Sequence, residues 1–248
     1  MRPIGFSTGA LALADFRRAL AILEPEPEVS VIELSALRMA ELAPLVRSLD
    51  GLGLERFSYT AFHAPSSVMS EQEREVVAAL EIVAARGWPI VVHPDAVHDW
   101  SLWRQFGRLL CLENMDKRKP IGRSVAELAV CFDKVPDASL CLDLGHARQV
   151  DPSMTGAFLL LREFGPRLMQ LHLSEVGTDS RHDRLSYSAS VAFQQIASLI
   201  PEAIPVVLET PVSSAEIVQE IKRARAALAP GSGRQGQREA PGSYAANV

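Results

Sequence analysis

Histidines and carboxylates stand where short apolar runs give out. FSYTAFH ends at His63, PIVVH at His93, LLCLE at Glu113, SLCLD at Asp143, RLMQLH at His172 and PVVLE at Glu209, with His146 just beyond Asp143 in DLGHA. Three carboxylates and an imidazole brought together would repel one another without a cation. With one, Glu113, Asp143, His172 and Glu209 make a four-ligand set for Mn²⁺, Co²⁺, Mg²⁺ or Zn²⁺ with room for water or substrate. His63 and His93 add a nitrogen-rich half beside Glu113 that could bridge two metals, so one or two divalent ions per chain are expected. Any one of these residues alone is better explained as an ion pair or a helix cap. Their recurrence at strand ends is what argues for a metal centre.

The elements that would gather them alternate along the chain. Strand-like runs cover Ile4–Ser7, Val29–Leu34, Phe57–His63, Pro89–His93, Leu109–Asn114, Ser139–Leu144, Leu168–Ser174 and Pro205–Glu209. Several are continuously apolar, as expected of strands covered on both faces. Between them lie amphipathic stretches at Glu71–Arg86, Ser124–Lys134, Ser153–Phe164, Val191–Leu199 and Ser214–Leu228. Ser70 and Glu73 read as a capping box for the first, and Ser214 as a cap for the last. Eight strands separated by helices predict an α/β protein, a single (β/α)8 TIM barrel over 1–229. The ligand positions recur at roughly 30 residues, one βα unit per step. An open doubly wound sheet would not bring eight strand ends to one point, and GFSTGAL after the first strand is no glycine-rich phosphate turn.

Composition narrows the function further. A formal net charge of −5 over 248 residues lacks the broad basic footprint of a nucleic-acid binder, so nucleic acid is not the expected partner. The three cysteines, Cys111, Cys131 and Cys141, form no CxxC pair and sit in apolar stretches, which suits reduced core residues in the cytoplasm. Asp15, Arg17 and Arg18 arrive too early for the apolar core of a signal peptide, and no apolar run reaches the roughly 18 residues of a membrane span. From Pro230 the chain turns to glycine, proline, serine and charge, and 230–248 reads as a disordered tail. Phe62 should point into the core beside His63 by alternation, and Trp100 and Trp103 should share one packing face. A homo-oligomer is compatible with helical faces of this kind.

The pattern resembles the xylose isomerase-like TIM barrel superfamily, over roughly residues 4 to 228. That group holds endonuclease IV, tagatose and psicose epimerases, inosose dehydratases and sugar phosphate isomerase/epimerase proteins. The resemblance rests on His63 and His93, LENM at Glu113, LDLGHA at Asp143 and His146, LHLSE at His172 and VLET at Glu209. It implies that Glu113, Asp143, His172 and Glu209 match the metal tetrad of the epimerase-like members, with the two glutamates as acid/base groups. It also implies that His63, His93 and His146 match further ligands of the endonuclease IV-like members. Those enzymes use an Asp-x-His after the seventh strand. Here Asp183 matches the aspartate, but Leu185 stands where the histidine would be, and His182 reads as a solvated loop residue.

Three functions follow. The first is a metal-dependent isomerase or epimerase of a sugar, sugar phosphate or keto-polyol, in which Glu113 and Glu209 exchange a proton through an enediolate. His146, Glu33, Asp183 and Lys117 are its candidate substrate contacts, Lys117 because Lys117-Arg118-Lys119 follows Glu113 closely enough to meet a phosphate. The second is endonuclease IV-like hydrolysis of a phosphodiester, which uses His63, His93 and His146 more economically. The third is a silent barrel that holds a ligand through its metal.

Overall fold

The computed structural model describes residues 2–229, and the expected tail at 230–248 lies outside the described residues. Eight parallel strands close a barrel: β1 (Ile4–Ser7), β2 (Val31–Ser35), β3 (Tyr59–His63), β4 (Ile90–Val92), β5 (Leu110–Glu113), β6 (Ser139–Asp143), β7 (Leu168–Leu173) and β10 (Val206–Leu208). They run in the circular order β1-β10-β7-β6-β5-β4-β3-β2, so β5 stands opposite β1. A small antiparallel pair, β8 (Glu175–Val176) and β9 (His182–Asp183), follows β7. The chain thus has the (β/α)8 architecture expected of its strand count.

Strand alternation explains why apolar runs end in ligands. Ile32 and Leu34, Leu110 and Leu112, and Leu140 and Leu142 belong to the main core beneath the helices. The intervening positions face the lumen, where Val91, Cys111 and Cys141 form their own small cluster with Met169. One further step along each strand brings Glu113, Asp143 and His63 to the rim. Register locks them side by side, with Ser35 beside His63, Glu113 beside Cys141 and Asp143 beside His172. An irregularity between Leu140 and Cys141 shifts β6 against β7, and this is what aligns Asp143 with His172.

Local chemistry departs from expectation at the helix ends. The helix Glu73–Ala84 carries no Ser70 capping box. Glu73 is buried and accepts from the backbone N–H of His98 at 2.7 Å and of Asp99 at 2.9 Å, and from Trp103 Nε1 at 2.8 Å. Three donors at once outcompete one local cap. Ser213, not Ser214, closes the last capping box with Glu216. The helix expected at Val191–Leu199 runs Tyr187–Gln194, opened by Ser186. Trp103 is fully buried against Phe106, and Trp100, half-buried with Lys134 Nζ over its ring, packs against the same core. Phe62 lies in the core, as alternation requires. All three cysteines are free and buried, and among the described residues no helix is long and apolar enough to cross a membrane.

Glu73 ties the helix after β3 to the segment after β4, which makes it a stability test. Hydrogen bonds to a charged group contribute about 1.5–3 kcal/mol each, and orphaned buried donors cost a similar amount. Glu73→Ala is therefore expected to lower unfolding free energy by about 3 kcal/mol or more, and Glu73→Gln by less, in urea titrations.

Candidate metal centre

At the C-terminal mouth of the barrel the strand ends deliver two groups of ligand atoms that share one residue. His63, His93 and Glu113 form one, and Glu113, Asp143, His172 and Glu209 the other; within each group the ligand atoms lie within 4.8 Å of one another. Glu113 turns one oxygen to each side. Its Oε2 is 3.3 Å from His63 Nε2 and 3.2 Å from His93 Nε2. Its Oε1 is 3.2 Å from His172 Nδ1 and 3.4 Å from His146 Nδ1. Glu209 Oε2 stands 3.4 Å from His172 Nδ1 on the far side.

Surrounding groups hold these side chains in place. His63 Nδ1 donates to the Ala64 carbonyl at 2.7 Å, leaving Nε2 to face Glu113. Asn114 staples β5 to β6, accepting from the Asp143 N–H at 2.7 Å and donating to the Asp143 carbonyl at 2.9 Å. Asp143 Oδ1 caps the following helix through the His146 N–H at 2.7 Å. His146 Nδ1 sits 3.0 Å from the Asn114 carbonyl.

The electrostatics are those of a buried pit lined with carboxylates. Burial pushes the Asp143 carboxyl up to about 6, with His146 opposing and Glu209 and Glu113 adding to the rise. Burial acts the same way on Glu113, but the adjacent His172 and His93 hold it well below the usual carboxylate range. Burial pulls the His63 imidazole down, yet its hydrogen bond to Glu113 and the charges of Glu33, Glu113 and Glu209 bring it up to about 9. The pit thus draws in positive charge. Two of its polar atoms, Asp143 Oδ2 and His93 Nδ1, are buried with no hydrogen-bond partner. An orphaned carboxylate oxygen beside other carboxylates, among imidazoles that turn ring nitrogens inward, suits a divalent cation.

Above the pit opens a cavity of about 670 Å³. Ala10 and Leu13 line its β1 side, and Leu37 lies next to them after β2. Across the mouth, after β5, stand Arg118 and Lys119, with Ser180 and Arg181 from the loop after β7. Lys119 Nζ pairs with Asp95 at 2.8 Å. Arg38 stands beside Leu37 on the first side, and Arg118 lies 3.7 Å from Asp116, which also lines the cavity.

The remaining candidates fall in unexpected places. Glu33 does not reach the mouth: it is fully buried one layer down, 2.9 Å from His172 Nε2. Lys117 is exposed outside the cavity, and its neighbours Arg118 and Lys119 take the lining positions. Asp183 is exposed on the outer side of the loop, its carboxylate accepting from the Arg184 N–H. His182, expected to be solvated, instead lines the cavity. Its Nδ1 is 2.8 Å from Ser174 Oγ and 3.5 Å from Glu209 Oε2, and its ring lies 5.3 Å from that of His146. Pairing of Val176 with His182 turns it inward. Those strands are too short to leave a pattern in sequence.

No protein-family model matches the chain, and no curated protein matches it in sequence. Solved structures do. Endonuclease IV from Thermus thermophilus superposes with a TM-score of 0.61 at 20% identity, covering 92% of this chain and 99% of its own. A 3-keto-D-glucoside 4-epimerase from E. coli gives 0.56 at 13% identity, covering 91% and 99%. A xylose isomerase-like TIM barrel protein from Mycobacterium smegmatis, in complex with magnesium, gives 0.56 at 14% identity, covering 92% and 98%. The chain has the fold of the xylose isomerase-like barrels, and at these identities the likeness is one of fold.

Proposed function

We propose that this xylose isomerase-like barrel is a divalent-metal-dependent enzyme that hydrolyses a phosphoester of a small polar substrate at a two-cation centre. The observation that carries the reading is Glu113, which offers one carboxylate oxygen to each ligand group. His63, His93 and Glu113 would hold one cation, and Glu113, Asp143, His172 and Glu209 the other. Such cations supply Lewis acidity, polarising a phosphoryl oxygen and making a nearby water acidic enough to attack at neutral pH.

The rest falls to the chain's own groups. Glu209 is the most exposed carboxylate of the set, 13% against 1% for Glu113. His182 takes the proton of the attacking water, its ring held beside the pit by Ser174 Oγ at 2.8 Å and Glu209 Oε2 at 3.5 Å. His182 is 29% exposed and lines the cavity, so it can hand the proton on to the leaving oxygen. Arg118 and Lys119 meet the charge of the phosphoester. Positioned acid–base groups contribute 10²–10⁴-fold, so His182→Ala is expected to lower turnover by about 10²-fold with metal content unchanged. Asp183→Asn, on the outer side of the same loop, should turn over normally.

A second reading is isomerisation or epimerisation of a sugar-like substrate. It is supported by Glu113 and Glu209, which flank His172 Nδ1 at 3.2 and 3.4 Å as a proton-exchanging pair would. It ranks second because Glu113 offers one oxygen to each ligand group, so cations held there would draw on the electron pairs that a carbon acid's proton needs. One experiment separates the two. Protein loaded with Zn²⁺ or Mn²⁺ is given p-nitrophenyl phosphate and bis-p-nitrophenyl phosphate, and in parallel a ketose and aldose panel in D₂O. Release of nitrophenolate supports the hydrolytic reading. Deuterium entering the sugars without nitrophenolate release replaces it with the second.

A further inference from the structure

Beneath the ligand layer the lumen holds a second polar layer that does not line the cavity above. Glu33 in β2 is its centre, fully buried. Its Oε2 accepts from Gln170 Nε2 at 2.7 Å and lies 2.9 Å from His172 Nε2. Gln170 Oε1 in turn accepts from the Tyr59 hydroxyl at 2.7 Å, near the bottom of the barrel. A hydrogen-bonded column thus runs Tyr59, Gln170, Glu33, His172.

Its polarity is fixed from below. With its oxygen taken by Tyr59, Gln170 turns its NH₂ to Glu33, and Glu33 Oε2 acts as acceptor. His172 Nε2 lies 2.9 Å from that oxygen and 3.0 Å from the amide nitrogen of Gln170, and the carboxylate, an acceptor only, draws the hydrogen of Nε2. The other nitrogen, Nδ1, faces Glu113 Oε1 at 3.2 Å and Glu209 Oε2 at 3.4 Å, where it can offer a lone pair to a cation. The companion histidines are held differently. His63 turns its outer nitrogen to a neutral backbone carbonyl, and the buried His93 Nδ1 has no partner. Glu33 Oε1 is likewise buried without a partner. A lumen carboxylate with one oxygen unsatisfied is costly unless positive charge lies close by.

We infer that Glu33 is a positioning residue that holds His172 in the tautomer whose Nδ1 lone pair faces the cation centre, and that its buried charge tightens that centre's hold on a divalent cation. This rests on the metal-centre reading above and goes beyond it by assigning part of the affinity to a residue that touches neither metal nor substrate. A carboxylate behind a metal-ligating imidazole raises the basicity of the ligand and fixes its ring, and losing such a partner typically costs 10–100-fold in metal affinity.

The test uses the full chain with Glu33→Gln and Glu33→Leu. The amide of Gln retains an acceptor and loses the charge; Leu loses both. Zn²⁺ and Mn²⁺ affinities are measured by competition against a chromophoric chelator, and the hydrogen bond of His172 Nε2–H to Glu33 is read from the ring ¹H and ¹⁵N shifts in the Zn²⁺-loaded protein. Binding is expected to weaken about 10-fold in Glu33→Gln and about 100-fold in Glu33→Leu. His172 should show an Nε2–H hydrogen-bonded to a carboxylate in wild type and lose that signature in Glu33→Leu, a change that loss of packing alone would not produce. Variants that bind as tightly as wild type, or an unchanged His172 Nε2–H signature in Glu33→Leu, would overturn the inference. Glu113→Gln in the same assay separates the two levels. Binding that is lost there and kept in both Glu33 variants overturns the role of Glu33 alone. Absence of cation binding by wild type overturns the metal centre together with it.

Discussion

Glu113→Gln should abolish turnover while leaving a folded barrel. The substitution keeps shape and volume and removes one charge, but that charge is shared by both ligand groups, so a single change disarms two sites. An amide would also present NH₂ to imidazole nitrogens that now face a carboxylate, 3.2 Å from His93 Nε2 and from His172 Nδ1. Lewis-acid stabilisation by a bound cation is worth several kcal/mol, and about 4 kcal/mol corresponds to roughly 10³-fold in rate. The expected result is a loss of turnover of at least about 10³-fold, with the circular-dichroism spectrum of the wild type. Retained turnover at near wild-type levels would remove Glu113 from the chemistry.

The largest expected effect on stability comes from a residue with no side chain. Gly5 lies in β1 beside Val31 of β2. A Cβ there would sit 1.6 Å from the Val31 carbonyl oxygen and 2.9 Å from its Cα. The obstacle is backbone, in a strand held on its other edge by β3, so it cannot swing aside as a side-chain tip would. Ordinary overpacking costs about 1–3 kcal/mol. Gly5→Ala should exceed about 4 kcal/mol, the range reserved for broken cores, and open the barrel at β1. Denaturant unfolding beside Gly51→Ala provides the comparison, because a Cβ at Gly51 would meet nothing within 4 Å. Equal stabilities for the two variants would contradict the strand pairing described above.

Most of the barrel is legible in the sequence because several strands are continuous apolar runs and most end at a titratable residue, and burial on both faces leaves few other readings. The gathering of Glu113, Asp143, His172 and Glu209 follows from that periodicity. What escapes depends on distances of one or two residues. By its sequence Glu33 closes a strand, but β2 continues to Ser35, so the carboxylate lies one layer below the rim, within reach of His172 and hidden from substrate. In Lys117-Arg118-Lys119, which side chain turns inward depends on how the loop is pinned, and the Lys117 N–H is tied to Gln149 Oε1 at 3.0 Å. His182 is brought inward by a two-residue strand pair that has no period to detect. Glu73 satisfies three distant donors in place of its local cap, a contact between segments that helix-end rules do not address.

Metal stoichiometry tests most directly whether the mouth holds two divalent cations bridged by Glu113. Protein purified without an affinity-tag metal, incubated with Zn²⁺ or Mn²⁺ and desalted, is analysed by plasma mass spectrometry as wild type and as Glu113→Gln. About two cations per chain are expected in the wild type, as two ligand groups sharing one carboxylate require, with loss of both in the variant. Wild-type protein that retains no metal, or a variant that retains as much as the wild type, would contradict the two-cation centre.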